Sequence, residues 1–143
     1  ANLQRKTEQF FDAGTVSSAD PQDSRSIDFQ QGHYQKFKIE NNLSMNLTGF
    51  SPASQTIANN LKKITVEFSN TGNLDGVTLT FANTLGSIFT SPNWPTRYGE
   101  RDVAANQIFL GNEINPTIIE FWSYNGGATI FANYLGQFNV VSL

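Results

Sequence analysis

Apolar and polar residues alternate along much of this chain from about residue 27 onward, and this alternation restricts its fold more than any other feature. In residues 43–48, Leu, Met and Leu alternate with Ser, Asn and Thr, and residues 64–69 and 77–81 repeat the pattern. Successive side chains of a β-strand point to opposite faces of a sheet. A period of two therefore predicts strands that bury one face and expose the other to water.

Denser apolar runs and turn residues complete the fold prediction. Residues 118–122, 129–135 and 138–141 carry few polar positions, which favours strands covered on both faces, by a second sheet or by another subunit. Residues 125–127, with the sequence Asn-Gly-Gly, separate two of these runs and predict a tight hairpin. About eight short strands result, and they predict an all-β fold, namely an antiparallel β-sandwich or jelly roll over residues 27–143.

Residues 1–26 are the most polar and charged part of the chain, and we expect them to form an extended N-terminal arm. Two interpretations of this arm stay open. It is either a partly mobile terminus or a segment that becomes ordered on a neighbouring subunit, with Phe10 and Phe11 as its anchor. The chain opens at Ala1 without a signal-peptide pattern, which fits removal of an initiator methionine as well as a trimmed chain.

The low charge of the chain excludes several classes of partner. Charged residues make up 15% of the sequence and the formal net charge is −3, whereas an average soluble domain has about 25% charged residues. Because there is no basic run, we expect no nucleic-acid binding through phosphate neutralisation. No stretch approaches the roughly 18 apolar residues of a membrane-spanning helix, so we also expect no membrane insertion.

A search for catalytic chemistry finds no specific motif. His33 is the only histidine and the chain has no cysteine, so a transition-metal site lacks its usual ligands. Glu67 and Glu120 are the best pair for a glycosidase, but their place in alternating runs favours ordinary outward-facing strand positions. We therefore expect no enzymatic activity, no catalytic residue, no cofactor and no metal ion.

One loop concentrates residues that are typical of binding surfaces. Residues 91–99 contain two prolines together with Trp94, Arg97 and Tyr98. Such a loop can stack on a sugar or dock a partner chain through its aromatic rings. The alternative is that its own aromatic residues hold it against the end of the sandwich. We keep Trp94, Arg97 and Tyr98 as a candidate partner-binding or glycan-binding loop.

The order of these segments resembles a family pattern over residues 27–138. Small β-sandwich modules of bacteriophage fibre proteins and other virion proteins show a similar series of strands, with a Trp-Pro loop and an Asn-Gly-Gly turn. The matching segments here are residues 26–37, 43–50, 77–81, 93–95 and 117–124. The family pattern usually continues after Trp-Pro with Lys-Trp or a Gly-Gly pair, whereas this chain has Thr-Arg-Tyr-Gly at residues 96–99.

The resemblance implies a structural or binding role in a virus particle. Such modules usually end a long fibre chain, and a free-standing chain of 143 residues is more similar to a capsid decoration (cement) protein. The resemblance then implies a homotrimer that binds the major capsid protein, or another virion protein, on the outer surface of the virion.

The sequence is also compatible with two other functions. The first is a fibre tip, or knob, that binds a host receptor and recognises a surface glycan. The second is a carbohydrate-binding module or an unrelated secreted β-sandwich, for which we expect an exposed flat row of aromatic residues.

Overall fold

The computed structural model describes residues 8–50, 61–112 and 115–141, and its longer strands follow the alternating segments. A single turn of 3-10 helix, Gln22–Arg25, is the only helix in these ranges. The strands are β1 Phe10–Val16, β2 Ser26–Asp28, β3 Tyr34–Ile39, β4 Leu43–Thr48, β5 Lys62–Asn70, β6 Val77–Ala82, β7 Ser87–Thr90, β8 Arg97–Tyr98, β9 Arg101–Asp102, β10 Gln107–Leu110, β11 Thr117–Ser123 and β12 Thr129–Gln137.

The all-β prediction is confirmed, whereas the number of strands was underestimated. The described residues contain twelve strands rather than about eight. The additional strands are short, and β8 and β9 have only two residues each, which is too few to show an alternating pattern. One predicted strand is not found: β12 ends at Gln137, and residues 138–141 form no strand.

The strands form a six-stranded sheet, a four-stranded sheet and a small hairpin. The order in the first sheet is β1-β3-β5-β11-β12-β7, the order in the second is β10-β6-β4-β2, and β8 pairs with β9. From β1 to β6 the chain passes back and forth between the two larger sheets. Consecutive strands of one sheet are therefore separated by a strand of the other, and each returning strand runs parallel to its neighbour.

The predicted antiparallel order is therefore wrong, since both larger sheets are mixed. Antiparallel pairing is found where β11 meets β5 and β12 and where β10 meets β6. The alternation of side chains is the same in parallel and antiparallel strands, so it carries no information about direction. Direction follows from the connections between strands. The sandwich or jelly-roll arrangement stays a prediction.

Both larger sheets contribute to one hydrophobic core. At its centre the ring of Phe81, on β6, lies 5.4 Å from the rings of Phe68 on β5 and Phe121 on β11. Phe37 on β3 extends this cluster along the six-stranded sheet, 5.9 Å from Phe68. The inward positions of the alternating segments thus meet across the space between the sheets.

Part of the predicted N-terminal arm forms an edge strand of the six-stranded sheet, and the 3-10 helix Gln22–Arg25 lies in its later half. Residues Phe10–Val16 form β1, which pairs in parallel with β3, and Val16 is buried in the core. The pairing shifts register between Asp12 and Gly14, where Gly14 has a φ of 71°. Residues 1–7 of the predicted arm lie outside the described residues.

The predicted Asn-Gly-Gly turn joins β11 to β12 as expected. Gly126 and Gly127 both have positive φ values, 70° and 90°, which glycine adopts without steric cost. The hydroxyl of Ser123 accepts a hydrogen bond from the Gly127 amide at 2.9 Å and closes the turn. This turn sets the register between β11 and β12, and with it the pairing of the residues on their outer face.

We expect Phe81→Ala to destabilise the protein strongly, because Phe81 joins the two sheets and is 1% exposed. Large-to-small substitutions at such positions cost about 3–5 kcal/mol in the free energy of unfolding. Urea unfolding followed by circular dichroism measures the difference. Leu74→Ala is the matched control, since Leu74 is 79% exposed and its truncation should change stability by less than about 0.5 kcal/mol. Equal losses in the two variants would contradict this core.

Candidate functional site

A row of large side chains crosses the outer face of the six-stranded sheet. Trp122 on β11 is paired in register with Lys63 on β5 and with Phe131 on β12, and Phe131 is paired with Phe89 on β7. Their neighbours along the strands, such as Phe121 and Ile130, point into the core, so alternation turns the row outward. Trp122, Phe131 and Phe89, with Tyr124 beside them, are called the aromatic row below.

Phe131 is the centre of the aromatic row. Its ring centroid lies 5.6 Å from Trp122, 5.7 Å from Phe89 and 6.0 Å from Tyr124. The interplanar angles are 19°, 28° and 28°, so the rings stand nearly parallel to one another. Neighbouring rings therefore cover part of each other's faces, and ring edges and outermost faces remain for a ligand. Phe89 is 54% exposed and Tyr124 is 50% exposed.

A charged pair borders the row at the middle of the sheet. Lys63 Nζ lies 3.1 Å from a carboxylate oxygen of Glu120 and 6.0 Å from the centre of the Trp122 ring. This ion pair is partly exposed to water, so it adds little to stability. It gives the row one polar, charge-balanced boundary, while the other end of the row reaches the edge strand β7.

An open groove of about 790 Å³ lies on the far side of this ion pair. Lys63, Glu120, Tyr34 and His33 are among its lining residues. His33 accepts a hydrogen bond from the Gln9 amide at Nδ1, 3.1 Å away, which ties the start of β3 to the residues before β1. The groove is lined by polar and apolar residues alike, and the aromatic row lies beside it rather than inside it.

The predicted binding loop is held mostly by its own aromatic residues. Trp94 is buried, its indole nitrogen donates a hydrogen bond to the Gln107 carbonyl at 3.0 Å, and its ring contacts Phe81 and Tyr134. Tyr98 packs its ring on Phe109 at 5.9 Å. Burial, and next the neighbouring Tyr134, raise the pKa of Tyr98 above its ordinary value.

Arg97 is the exposed member of that loop. Its Nε donates a hydrogen bond to the Gly99 carbonyl at 2.9 Å and lies 3.7 Å from an Asp102 oxygen, with both side chains largely in water. The ring contacts of Trp94 and Tyr98 agree with the alternative interpretation of the loop, while a binding role for these two residues stays a prediction. A binding role for Arg97 stays a prediction.

Phe10 and Phe11, the predicted anchor of the arm, lie on the opposite edge of the six-stranded sheet. Phe10 is 62% exposed, and its ring lies 6.1 Å from that of Tyr34. Phe11 is half-buried. The two anchor residues thus belong to a sheet edge rather than to a free arm, and their partner-binding role stays a prediction.

The acidic residues weighed for catalysis are each engaged with another side chain. Glu67 accepts a hydrogen bond from the Tyr34 hydroxyl at 2.9 Å, and Glu120 pairs with Lys63. Within residues 8–50, 61–112 and 115–141, no three His, Asp or Glu side chains are grouped as metal ligands would be. No helix of these ranges is both long and apolar enough to cross a membrane.

Comparisons with models of protein families, with curated protein sequences and with solved structures give no match.

Sequence reasoning did not select the residues of the aromatic row. A flat row of exposed aromatic residues was expected only for a carbohydrate-binding module, without residues assigned to it. Trp122 and Phe131 lie in apolar runs that were predicted to form strands covered on both faces. The strand alternation could have identified them, because Trp122 and Phe131 each directly follow an inward-facing residue and must therefore face outward. Their meeting with Phe89 depends on β7 pairing with β12, which the sequence does not indicate.

We expect Glu67→Gln to lower the pKa of Tyr34. Burial first, and then the hydrogen bond and negative charge of Glu67, raise the pKa of this phenol from 10.0 to about 12. Because the pKa of this phenol is higher in the folded than in the unfolded state, it contributes to stability at pH values below its unfolded-state pKa. This contribution is lost as the pH rises through the folded-state pKa. Titration of tyrosinate absorbance should show one group moving toward 10 in Glu67→Gln, and Tyr34→Phe identifies that group. An unchanged titration would contradict the pairing.

We also expect the two tryptophans to differ in access to water. Trp94 is 6% exposed, whereas Trp122 is only partly buried on the outer face. Iodide should therefore quench the fluorescence of Trp122 selectively. Trp122→Phe should leave emission that resists quenching, and Trp94→Phe should leave emission that is quenched readily. The reverse result would show that the outer and inner faces are wrongly assigned.

Proposed function

We propose that this chain is a non-enzymatic structural protein of a virus particle, a capsid decoration (cement) protein that attaches to the outer surface of the assembled shell. The observation that carries the proposal is the aromatic row, four neighbouring rings on the outer face of the sheet, of which Phe89 and Tyr124 are exposed and the other two half-buried. Soluble proteins rarely expose contiguous apolar patches without a partner for them. The row therefore indicates a surface that another molecule covers.

The chemistry of the row favours a protein as that partner. Trp and Tyr are the residues most enriched among those that carry binding energy at protein interfaces. A sugar, in contrast, stacks on an open ring face, and the near-parallel rings around Phe131 cover part of one another's faces. The ion pair of Lys63 and Glu120 forms a polar rim beside the row, as interfaces commonly have.

Attachment rather than catalysis fits the rest of the described surface. Glu67 and Glu120 are each held by a neighbour, and His33 ties two segments together. A net charge of −3 opposes binding to phosphate backbones. The resemblance of residues 27–138 to virion β-sandwich modules supplies the virus particle and the major capsid protein as partner.

A homotrimer would strengthen attachment through several simultaneous contacts. Linked binding events gain an effective concentration, so weak single contacts combine into tight attachment. A shell presents the same capsid surface many times, which suits a protein with several identical binding rows. We therefore propose a trimer as the form that binds.

The groove beside the row favours a second candidate, a fibre tip that binds a host-surface glycan. Its lining includes Lys63, Glu120 and Tyr34, and Lys63 Nζ lies 6.0 Å from the centre of the Trp122 ring. Polar groups beside an aromatic ring are typical of sugar sites. In this case the exposed Arg97 would be a further candidate contact. A glycan array with the purified protein distinguishes this function from shell attachment.

We expect Trp122→Ala and Tyr124→Ala to weaken binding to undecorated shells of the virus that encodes the chain. Central aromatic residues of an interface contribute 2 kcal/mol or more, which is about 30-fold in the dissociation constant. Co-sedimentation of labelled protein with purified shells measures this constant. Free capsid subunits provide the comparison, since a decoration protein should bind them much more weakly than shells.

Leu74→Ala is the matched control for these two variants. Leu74 is exposed and apolar but lies outside the row, in the turn before β6, so its truncation should leave binding unchanged. Circular dichroism confirms that each variant is folded. If wild-type protein does not bind shells, or if Trp122→Ala binds as well as Leu74→Ala, the proposed attachment surface is wrong.

A further inference from the structure

The four edges of the two larger sheets are protected to different degrees. An exposed strand edge offers unpaired backbone groups to another chain, and proteins block edges with charges, bulges, short strands or covering groups. Edge strand β1 carries Asp12 and a register shift, and β2 has three residues and ends at Asp28. At edge strand β10 the Trp94 indole bonds the Gln107 carbonyl, and Arg101 lies 4.4 Å above the Phe109 ring.

Edge strand β7 is also short, with four residues, but among the described residues it lacks the other protections. Its sequence, Ser-Ile-Phe-Thr, contains no charge and no proline, and its pairing with β12 is regular. Toward β12, the amides of Ser87 and Ser91 donate to the carbonyls of Ala128 and Ala132. Because backbone groups alternate in direction along a strand, the N–H and C=O groups of Ile88 and Thr90 face away from β12. Beyond them lies the outer edge of the sheet.

The described chain also contains an exposed, uncharged segment whose residues favour strands but which is not a strand itself. Residues 138–141, with the sequence Phe-Asn-Val-Val, follow β12. Phe138 is 49%, Val140 66% and Val141 77% exposed. Phe and Val favour strands, yet this segment is not part of a sheet in the single chain. It is held there on one side only, where the Val140 amide donates to the Asn115 side chain and that side chain donates to the side-chain oxygen of Asn139.

The geometry prevents this segment from reaching the β7 edge of its own chain. β7 pairs with Thr129–Ala132 at the start of β12, whereas the segment leaves the far end of β12 at Gln137. The path from Ala132 to Gln137 covers roughly 16 Å at about 3.3 Å per residue, and four residues extend at most about 14 Å. The Phe138 amide also bonds the Pro116 carbonyl, which directs the segment along the start of β11 and away from β7.

We propose that residues 138–141 of one copy add as a strand to the free edge of β7 in a second copy. Backbone hydrogen bonds to Ile88 and Thr90 would supply affinity, and apolar side chains beside Phe89 would supply specificity, as in other cases of strand addition. The contact is heterologous, because it joins two different surfaces, and such contacts form closed rings when the rotation allows. The inference deepens the proposed function and rests on it only for the number of three copies.

Thr90→Pro tests the edge. Proline removes an N–H group that faces away from β12, and edge strands tolerate proline at such positions. We expect sedimentation velocity to show an oligomer for the wild type and an association at least about tenfold weaker for Thr90→Pro. Thr90→Val is the matched control, since it keeps the N–H group and the branched side chain and should leave the oligomer unchanged.

Val140→Asp tests the other half of the contact by placing a charge in the added strand. Val140→Thr is its control, because threonine keeps the branched shape and the strand preference. Mixing the two disruptive variants gives the sharpest result. Thr90→Pro retains an intact segment and Val140→Asp retains an intact edge, so the mixture should form one-to-one dimers although each variant alone is mostly monomeric. A contact between identical surfaces would not produce this complementation.

The outcomes separate this inference from the proposed function. A monomeric wild type, or an oligomer that Thr90→Pro and Val140→Asp leave intact, overturns the strand exchange, including the case in which another protein occupies the β7 edge. Shell binding by wild-type monomers would then still support attachment through the aromatic row. Conversely, an oligomer that depends on Thr90 and Val140 but does not bind shells supports the exchange and overturns the decoration function.

Discussion

The contact of Phe81 with the opposite sheet is the interaction on which the rest of the structure depends. Phe81 meets Phe68 and Phe121 at 5.4 Å each, and Trp94 packs on it from the loop after β7. The inward faces of both sheets and the Trp94 loop are therefore fixed together. Burying these rings supplies the hydrophobic free energy that holds a chain without cysteines.

The same packing places the outer face of the six-stranded sheet away from the core. Strand alternation turns one residue of each pair inward, so every buried residue of β11 and β12 places a neighbour on the outside. At Trp122 and Phe131 these outside neighbours are aromatic, and the register brings them together. Rings that are already held in place by their neighbours lose little conformational entropy when a partner binds, which suits a surface for attachment.

The sequence predicted the all-β class and the strands of the alternating segments, because their pattern is local. It also placed the turn at Gly126 and Gly127, where positive φ demands glycine. Phe10 was assigned to a free arm because its flanking residues are polar, but pairing with β3 brings it into the sheet. Trp94 was considered for ligand binding, and its hydrogen bond to Gln107 is invisible in a sequence in which the two residues are far apart.

The sequence by itself determined which residues of each long strand share a face, since a period of two fixes this within a few residues of chain. Only the tertiary structure decided which strands become neighbours and in which direction they run. The chain passes between two sheets from β1 to β6, and this path makes neighbouring strands parallel. The meeting of Phe89 with Phe131 depends in the same way on the pairing of β7 with β12, because the pairing of distant segments depends on the packing of the whole chain.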